Sequence, residues 1–492
     1  MPGTYTHNFD TPSFKGQVTI NTGLFINGKW VDPVEESTID VFNPATGQLI
    51  TTVAAGGPKD IDAAVDAAQK AFKTSWGLHT PGTVRGKLLN KLADLLEKNL
   101  EAFAALESLD TGKVFDKAKS MDIGSALAVF RYYAGWADKV QGKTIETSEN
   151  KLAYTRHEPY GVCGMLSWKV GPALATGNTI VLKPSELTPL TALKFAELVV
   201  EAGFPPGVVN IVNGYGPVAG QAISEHPKIT KVAFTGSTLT GRKIMKASAE
   251  SNLKVVTLEL GGKSPTIIFD DADLDQAVKW AAFGIYFNMG QACTAGSRIF
   301  VQESIHDKFL EKFTAKTQDL TEKTGDPFTS GTEHGPQVSQ VQFDRVMGYI
   351  ESGKSEGAKV HMGGERHGEA GYFIKPTVFT ECKRDMKIIR EEIFGPVCAV
   401  MKFKTEEEVI EVANDTTYGL GCNVFSQNIN RALRVAHALE AGSAWVNCAQ
   451  AGDAAVPFGG YKQSGIGREL GEYAIHTYTQ VKAVHVNIGL KL

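Results

Sequence analysis

The chain has no Cys-x-x-Cys pair, no surplus of either charge, no G-x-G-x-x-G run and no apolar stretch approaching the ~20 residues of a membrane span. Each absence excludes something. Six scattered cysteines (Cys163, Cys293, Cys382, Cys398, Cys422, Cys448) argue against a disulfide framework or a zinc cluster and suit a reducing compartment. Lys and Arg number 50 against 54 acidic residues, a net charge of −4, so neither nucleic acid nor an anionic membrane is an expected partner. Met1-Pro2-Gly3-Thr4-Tyr5-Thr6 has no basic stretch leading into an apolar one, and Asp10 follows with no early arginine. No targeting peptide is expected, and the cytoplasm is the expected location. No internal repeat or low-complexity segment is visible.

At 492 residues the chain is too long for one core, so two or three domains are expected. Residues 1–22 read as polar and loosely ordered. Leu24 to Val31 reads as a hairpin turning at Asn27-Gly28. Asp60 is placed to cap a helix carrying Ile61, Ala64, Val65, Ala68 and Phe72 on one face, and one longer helix is expected from Val84 to Leu109. An aromatic-rich helix covers Ala126–Lys139. From 160 to 260 the pattern is β-α-β-α-β, with strands at Thr179–Lys183, Val208–Val212 and Val232–Thr235, which predicts a doubly wound, nucleotide-binding sheet. A second α/β domain is expected over 261–477, with Asp273 capping its first helix. Leu152–Pro159 and Val481–Ile488 alternate in polarity like exposed edge strands.

Two stretches carry chemistry. In Gly290-Gln291-Ala292-Cys293-Thr294-Ala295-Gly296-Ser297 a cysteine sits among small residues, which leaves its sulfur approachable and its backbone N–H free to meet an oxyanion. A buried structural cysteine is the plainer alternative. In Val255-Val256-Thr257-Leu258-Glu259-Leu260-Gly261-Gly262-Lys263-Ser264-Pro265 a strand runs into a carboxylate and two glycines, placing Glu259 at a strand tip as a general base or merely a solvated glutamate.

These runs, with Phe234-Thr235-Gly236-Ser237-Thr238, Glu391-Glu392-Ile393-Phe394-Gly395-Pro396-Val397 and Pro457-Phe458-Gly459-Gly460-Tyr461-Lys462-Gln463-Ser464-Gly465, resemble the aldehyde dehydrogenase superfamily in its own order, over nearly the whole chain. The resemblance implies an α/β fold: a doubly wound Rossmann-type cofactor domain (1–137 and 159–260), an α/β catalytic domain (261–477) and a small oligomerisation sheet (138–158 and 478–492). It implies an NAD-dependent oxidation of an aldehyde to an acid by a homodimer or homotetramer. Cys293 is the nucleophile, Glu259 the general base and Lys169 a proton relay to it. The acylating branch, in which coenzyme A replaces water, is disfavoured by Glu259.

The same resemblance assigns the cofactor contacts. Gly236 and Ser237, which alone would pass for an ordinary helix cap, take the pyrophosphate. Lys183 and Glu186, otherwise a solvated turn with an i,i+3 pair, take the adenosine ribose, and Glu186 would repel a 2′-phosphate, so NAD is expected over NADP. Glu392 and Phe394 take the nicotinamide ribose and ring. No metal is expected.

One motif is missing. Family members carry roughly Ile-Ile-Pro-Trp-Asn-Phe-Pro before a Trp-Lys pair, and its Asn donates to the oxyanion. Here the chain reads Gly161-Val162-Cys163-Gly164-Met165-Leu166-Ser167-Trp168-Lys169, about ten residues shorter. The step back from Lys169 that should reach the Asn lands on Tyr160. One oxyanion donor is worth ~10²–10³ in kcat, so impaired activity is expected, with a weak or inactive relative kept as a binding or structural protein as the alternative. The substrate side also departs from the family: Asn447-Cys448-Ala449-Gln450-Ala451-Gly452-Asp453 is small and polar.

Overall fold

The computed structural model describes residues 3–164 and 167–492, with the Ser167 side chain also left aside. The gap expected after Gly164 falls at Met165-Leu166, outside the described residues.

Three sheets organise the chain. The first has eight strands. Five are parallel and centred on Val162–Gly164: Thr179–Leu182 and then Val209–Ile211 lie to one side, Lys231–Thr235 and then Val255–Glu259 to the other. The chain leaves this central strand in one direction and returns on its other side. That reversal puts the ligand crevice at the carboxyl ends of Val162–Gly164 and Lys231–Thr235. The Leu24–Val31 hairpin extends one edge, turning at Asn27 (φ 54°) and Gly28 (φ 74°) as a left-handed two-residue turn requires. Gly465–Ile466 closes the other edge against Leu258 and Glu259.

The central strand is described as far as Gly164, and pairs with Lys231–Thr235 at Cys163↔Lys231 and Gly164↔Val232.

The second sheet has seven strands, including Pro265–Ile268, Arg298–Gln302, Val397–Phe403 and Gly421–Phe425, parallel except for the edge strand Lys359–Met362. The third places Lys151–Pro159 between Thr479–Asn487 and Thr144–Ser148, leaving both outer strands open among the described residues. The end of the chain also serves the first core, where Leu470, Ala474, Ile475 and Tyr478 are buried. Among the described residues no helix is long and apolar enough to cross a membrane.

Three local expectations are corrected. Residues 4–21 are ordered: Thr4–Asp10 pairs antiparallel with Lys15–Asn21, because Phe9, Val18 and Ile20 alternate inward onto the first core. The helix expected over Val84–Leu109 is two, Gly82–Lys98 and Leu100–Thr111, broken at Asn99, whose amide side chain bonds back to Leu95 O at 2.8 Å. Asp60 is not the cap residue of Pro58–Thr74 but the third residue in, its carboxylate accepting from the Gly57 N–H at 2.9 Å. Asp273 does cap Leu274–Tyr286, accepting from Gln276 N–H at 3.1 Å.

Candidate active site

Glu259 ends its strand opposite Thr235 of the neighbouring one. Its backbone is fixed on two sides: the Gly236 N–H donates to Glu259 O at 3.0 Å, and the Leu260 N–H to Ser464 O at 2.8 Å. The side chain is 5% exposed, and Oε2 has no hydrogen-bond partner among the described residues. Burial first, then the Glu469 carboxylate, push its carboxyl up to about 9, against the pull of Lys169 and Arg468. Its surroundings thus favour the protonated form and make the carboxylate a stronger base than an exposed one.

Lys169 reaches this group through an intermediary. Its Nζ is ion-paired with Glu469 and donates to Thr235 Oγ1 at 2.6 Å. Glu469 is the functional carboxylate that sequence reasoning missed. Its only signal was its place four residues after the Gly465 motif, in Gly467-Arg468-Glu469-Leu470. Its backbone exchanges two 2.7 Å hydrogen bonds with Phe458, whose ring meets Trp168 edge-on at 5.6 Å.

Cys293 follows a turn of three left-handed residues, Asn288 (φ 50°), Met289 (φ 55°) and Gly290 (φ 71°). The two non-glycine positions cost about 1–2 kcal/mol each. The Asn288 amide donating to Gln291 O at 2.8 Å and the Val338 N–H donating to Gln291 Oε1 at 3.0 Å hold the turn. Burial, then the Glu392 and Glu259 carboxyls, push the Cys293 thiol up to about 12. It rests as a thiol and needs a base to become a nucleophile.

Gly261 and Gly262 are a close-packed junction. A Cβ on Gly262 would lie 2.3 Å from Cys293 O, and one on Gly261 would lie 2.2 Å from Glu392 Oε2. The Gly262 N–H donates to Glu392 Oε1 at 3.1 Å. The strand tip bearing Glu259 thus seats both the Cys293 loop and the Glu392 carboxylate. Burial raises the Glu392 carboxyl, with the Gly262 N–H opposing. Phe394 adopts φ 57°, and its carbonyl accepts from the Gln342 amide at 2.7 Å.

Gly236 and Ser237 lie at the crevice mouth, where Ser237 Oγ accepts from the Thr240 N–H at 3.2 Å and caps Thr238–Glu250. Lys183 and Glu186 stand further off, at the end of Thr179–Leu182. Lys183 Nζ donates to Glu186 Oε2 at 2.9 Å, Gly214 O at 2.8 Å and Pro184 O at 2.8 Å. Burial would raise the Glu186 carboxyl, but the hydrogen bond and charge of Lys183 hold it below the usual range. The structure therefore gathers Cys293, Glu259, Glu392 and Phe394 around one glycine pair, with Lys169 attached through Glu469. The remaining contacts are strung along the carboxyl edge of the first sheet. A helix N-terminus capped by Ser237, a hydrogen-bonded lysine–glutamate pair and a carboxyl close to the thiol lie along that edge.

Residues 30–484 match the model of the aldehyde dehydrogenase family. The chain belongs to the aldehyde dehydrogenase family. An aldehyde dehydrogenase of Agaricus bisporus is 63% identical over 502 positions, covering 100% of both chains. The human protein named aldehyde dehydrogenase, mitochondrial, is 51% identical, over 99% of this chain and 96% of its own length. Among solved structures, the NAD+ complex of aldehyde dehydrogenase from Bacillus cereus is 51% identical and superposes with a TM-score of 0.93, covering 95% of this chain and 97% of that one. The mixed α/β architecture is that of the family.

Proposed function

We propose that this chain oxidises an aldehyde to a carboxylic acid with NAD as cofactor, and that the shortened segment after Gly164 limits the rate. The observation that carries this reading is the Gly261–Gly262 junction, which brings a cysteine, a buried base and a ribose-type carboxylate together. Cys293 Sγ, its proton taken by a neighbouring base, attacks the aldehyde carbon and forms a thiohemiacetal. NAD, when bound, accepts the hydride that leaves this carbon as the thioester forms. Glu259 then takes a proton from water, the hydroxide attacks the thioester, the C–S bond breaks and the thiol is restored. Lys169, ion-paired with Glu469, stands behind Glu259 as its proposed relay partner. Lys183, Glu186, Gly236, Ser237, Glu392 and Phe394 are assigned to bind and orient the cofactor; NAD as that cofactor is supported by the NAD+ complex of the Bacillus cereus relative.

The oxyanion retains the Cys293 N–H but lacks the family's Asn. One fact supports a shortening: the alignment with the Agaricus bisporus relative runs to 502 positions against 492 residues here. The second reading is a weakly active relative retained for binding. A single-turnover NADH assay on the purified chain separates the two. Aldehyde-dependent NADH that vanishes in Cys293→Ala supports the enzyme; NADH formation that survives the substitution overturns Cys293 as nucleophile.

The three sheets support cofactor (1–137, 159–260), catalytic (261–477) and oligomerisation (138–158, 478–492) parts, with 465–478 packing back onto the first. The open strands Thr144–Ser148 and Thr479–Asn487 suit a homodimer or homotetramer. Six unpaired cysteines suit the cytoplasm.

A further inference from the structure

The geometry points to Gln450 as the positioning residue of the nucleophile loop, a side-chain strut that fixes Thr294, the neighbour of Cys293, to the end of helix Leu274–Tyr286. Its carboxamide is engaged at both ends. Oε1 accepts from Thr294 Oγ1 at 2.5 Å, and Nε2 donates to Gly284 O at 3.2 Å. The Gly296 N–H donates to the same Gly284 carbonyl at 3.1 Å. Gly284 lies in the last turn of its helix, where carbonyls lose their intrahelical partners. One orphan carbonyl thus anchors the loop at Gly296 directly and at Thr294 through Gln450, with Cys293 just ahead of both.

The segment carrying Gln450 is itself held rigidly. Asn447 (φ 56°) and Gln450 (φ 57°) are left-handed, a conformation that persists in non-glycine residues only where the surroundings enforce it. The Asn447 side chain accepts from the Ser426 N–H at 3.0 Å and donates to Ser426 O at 3.1 Å. The Trp445 indole donates to Ala451 O at 2.7 Å. Ala449 is fully buried, 3.1 Å from where a Gly284 Cβ would stand. A strut on a rigid base transmits position: with Thr294 held, the backbone N–H and sulfur of Cys293 keep their places relative to Glu259 and Glu392. Angstrom-scale misplacement of a reacting group costs up to ~10²-fold.

This rests on Cys293 being the nucleophile, so the test reads its thiol separately from turnover. Gln450→Met keeps the volume and removes both hydrogen bonds; Thr294→Val removes one partner. Each is expected to slow iodoacetamide alkylation of Cys293, located by mass spectrometry, and the NADH burst by about tenfold, within that bound. The double variant should be no slower than either single one, with NAD binding and Tm close to those of the parent chain. Parent rates in Gln450→Met, or losses that multiply in the double variant, overturn the strut alone. A burst that persists in Cys293→Ala overturns the nucleophile assignment and the strut with it.

Discussion

Lys169 is ion-paired with Glu469 rather than hydrogen-bonded to Glu259, although all three lie within one buried cluster. The lysine charge is therefore spent mainly on a carboxylate that itself repels ionisation of the base. Burial first, and this carboxylate second, hold the Glu259 carboxyl above its ordinary value.

A pH dependence follows. A base whose carboxyl is raised to about 9 is ionised above that value, so water activation is lost as pH falls through it. Glu469→Gln removes a like charge and frees Lys169, so the acid limb of thioester hydrolysis should move to lower pH. Lys169→Met should move it up. Limbs that stay put in pre-steady-state pH profiles of both variants would show that the cluster does not tune the base.

Glu259→Gln should slow deacylation more than acylation, giving an NADH burst followed by a slow steady state. Equal losses in both phases would remove the assigned role. The same variant should be more stable. A carboxyl held above its ordinary value keeps its proton in the folded chain where the unfolded chain has lost it, so native stability falls as pH rises. The Tm gain of Glu259→Gln should accordingly be larger at pH 8 than at pH 5, readable by calorimetry.

NAD should be preferred over NADP, because Glu186, held ionised by Lys183, meets the ribose 2′ position with negative charge. Glu186→Ala should raise kcat/KM for NADP relative to NAD. A preference for NADP in the parent chain would refute the placement.

Much of the fold was legible because its signals are local. The β-α-β periodicity around Thr179–Leu182 and Lys231–Thr235, the Asn27-Gly28 turn and the Asp273 cap depend on neighbouring residues alone. What was not legible depends on partners distant in sequence. The Thr4–Asp10 strand is ordered by a core it reaches only in three dimensions. Gly261 and Gly262 read as turn residues, but their observed constraint is contact with Glu392 and Cys293. Glu469 lies 210 positions beyond Glu259 in a stretch with no motif of its own, and only folding reveals that it governs the base. Gln450 likewise gains its meaning from Gly284 and Thr294.

The last prediction concerns the short central strand. Inserting Ile-Ile-Pro-Trp-Asn-Phe-Pro-Leu-Leu-Met after Met165 should act on two properties at once. The insert would extend the strand beyond Gly164 alongside Lys231–Thr235, each new backbone hydrogen bond contributing about 0.5–1.5 kcal/mol. Tm should therefore rise. The inserted Asn would add a second donor beside the Cys293 N–H, so kcat should rise by at least ~10²-fold, the worth of one oxyanion donor. The two effects separate in the Asn→Ala version of the insert, which should keep the gain in Tm and forfeit most of the gain in kcat. If the insertion raised Tm but not kcat, another group would already be serving the oxyanion. If it raised neither, the chain would have closed its sheet and its site without the segment, and the strand at Val162–Gly164 would be complete as it stands.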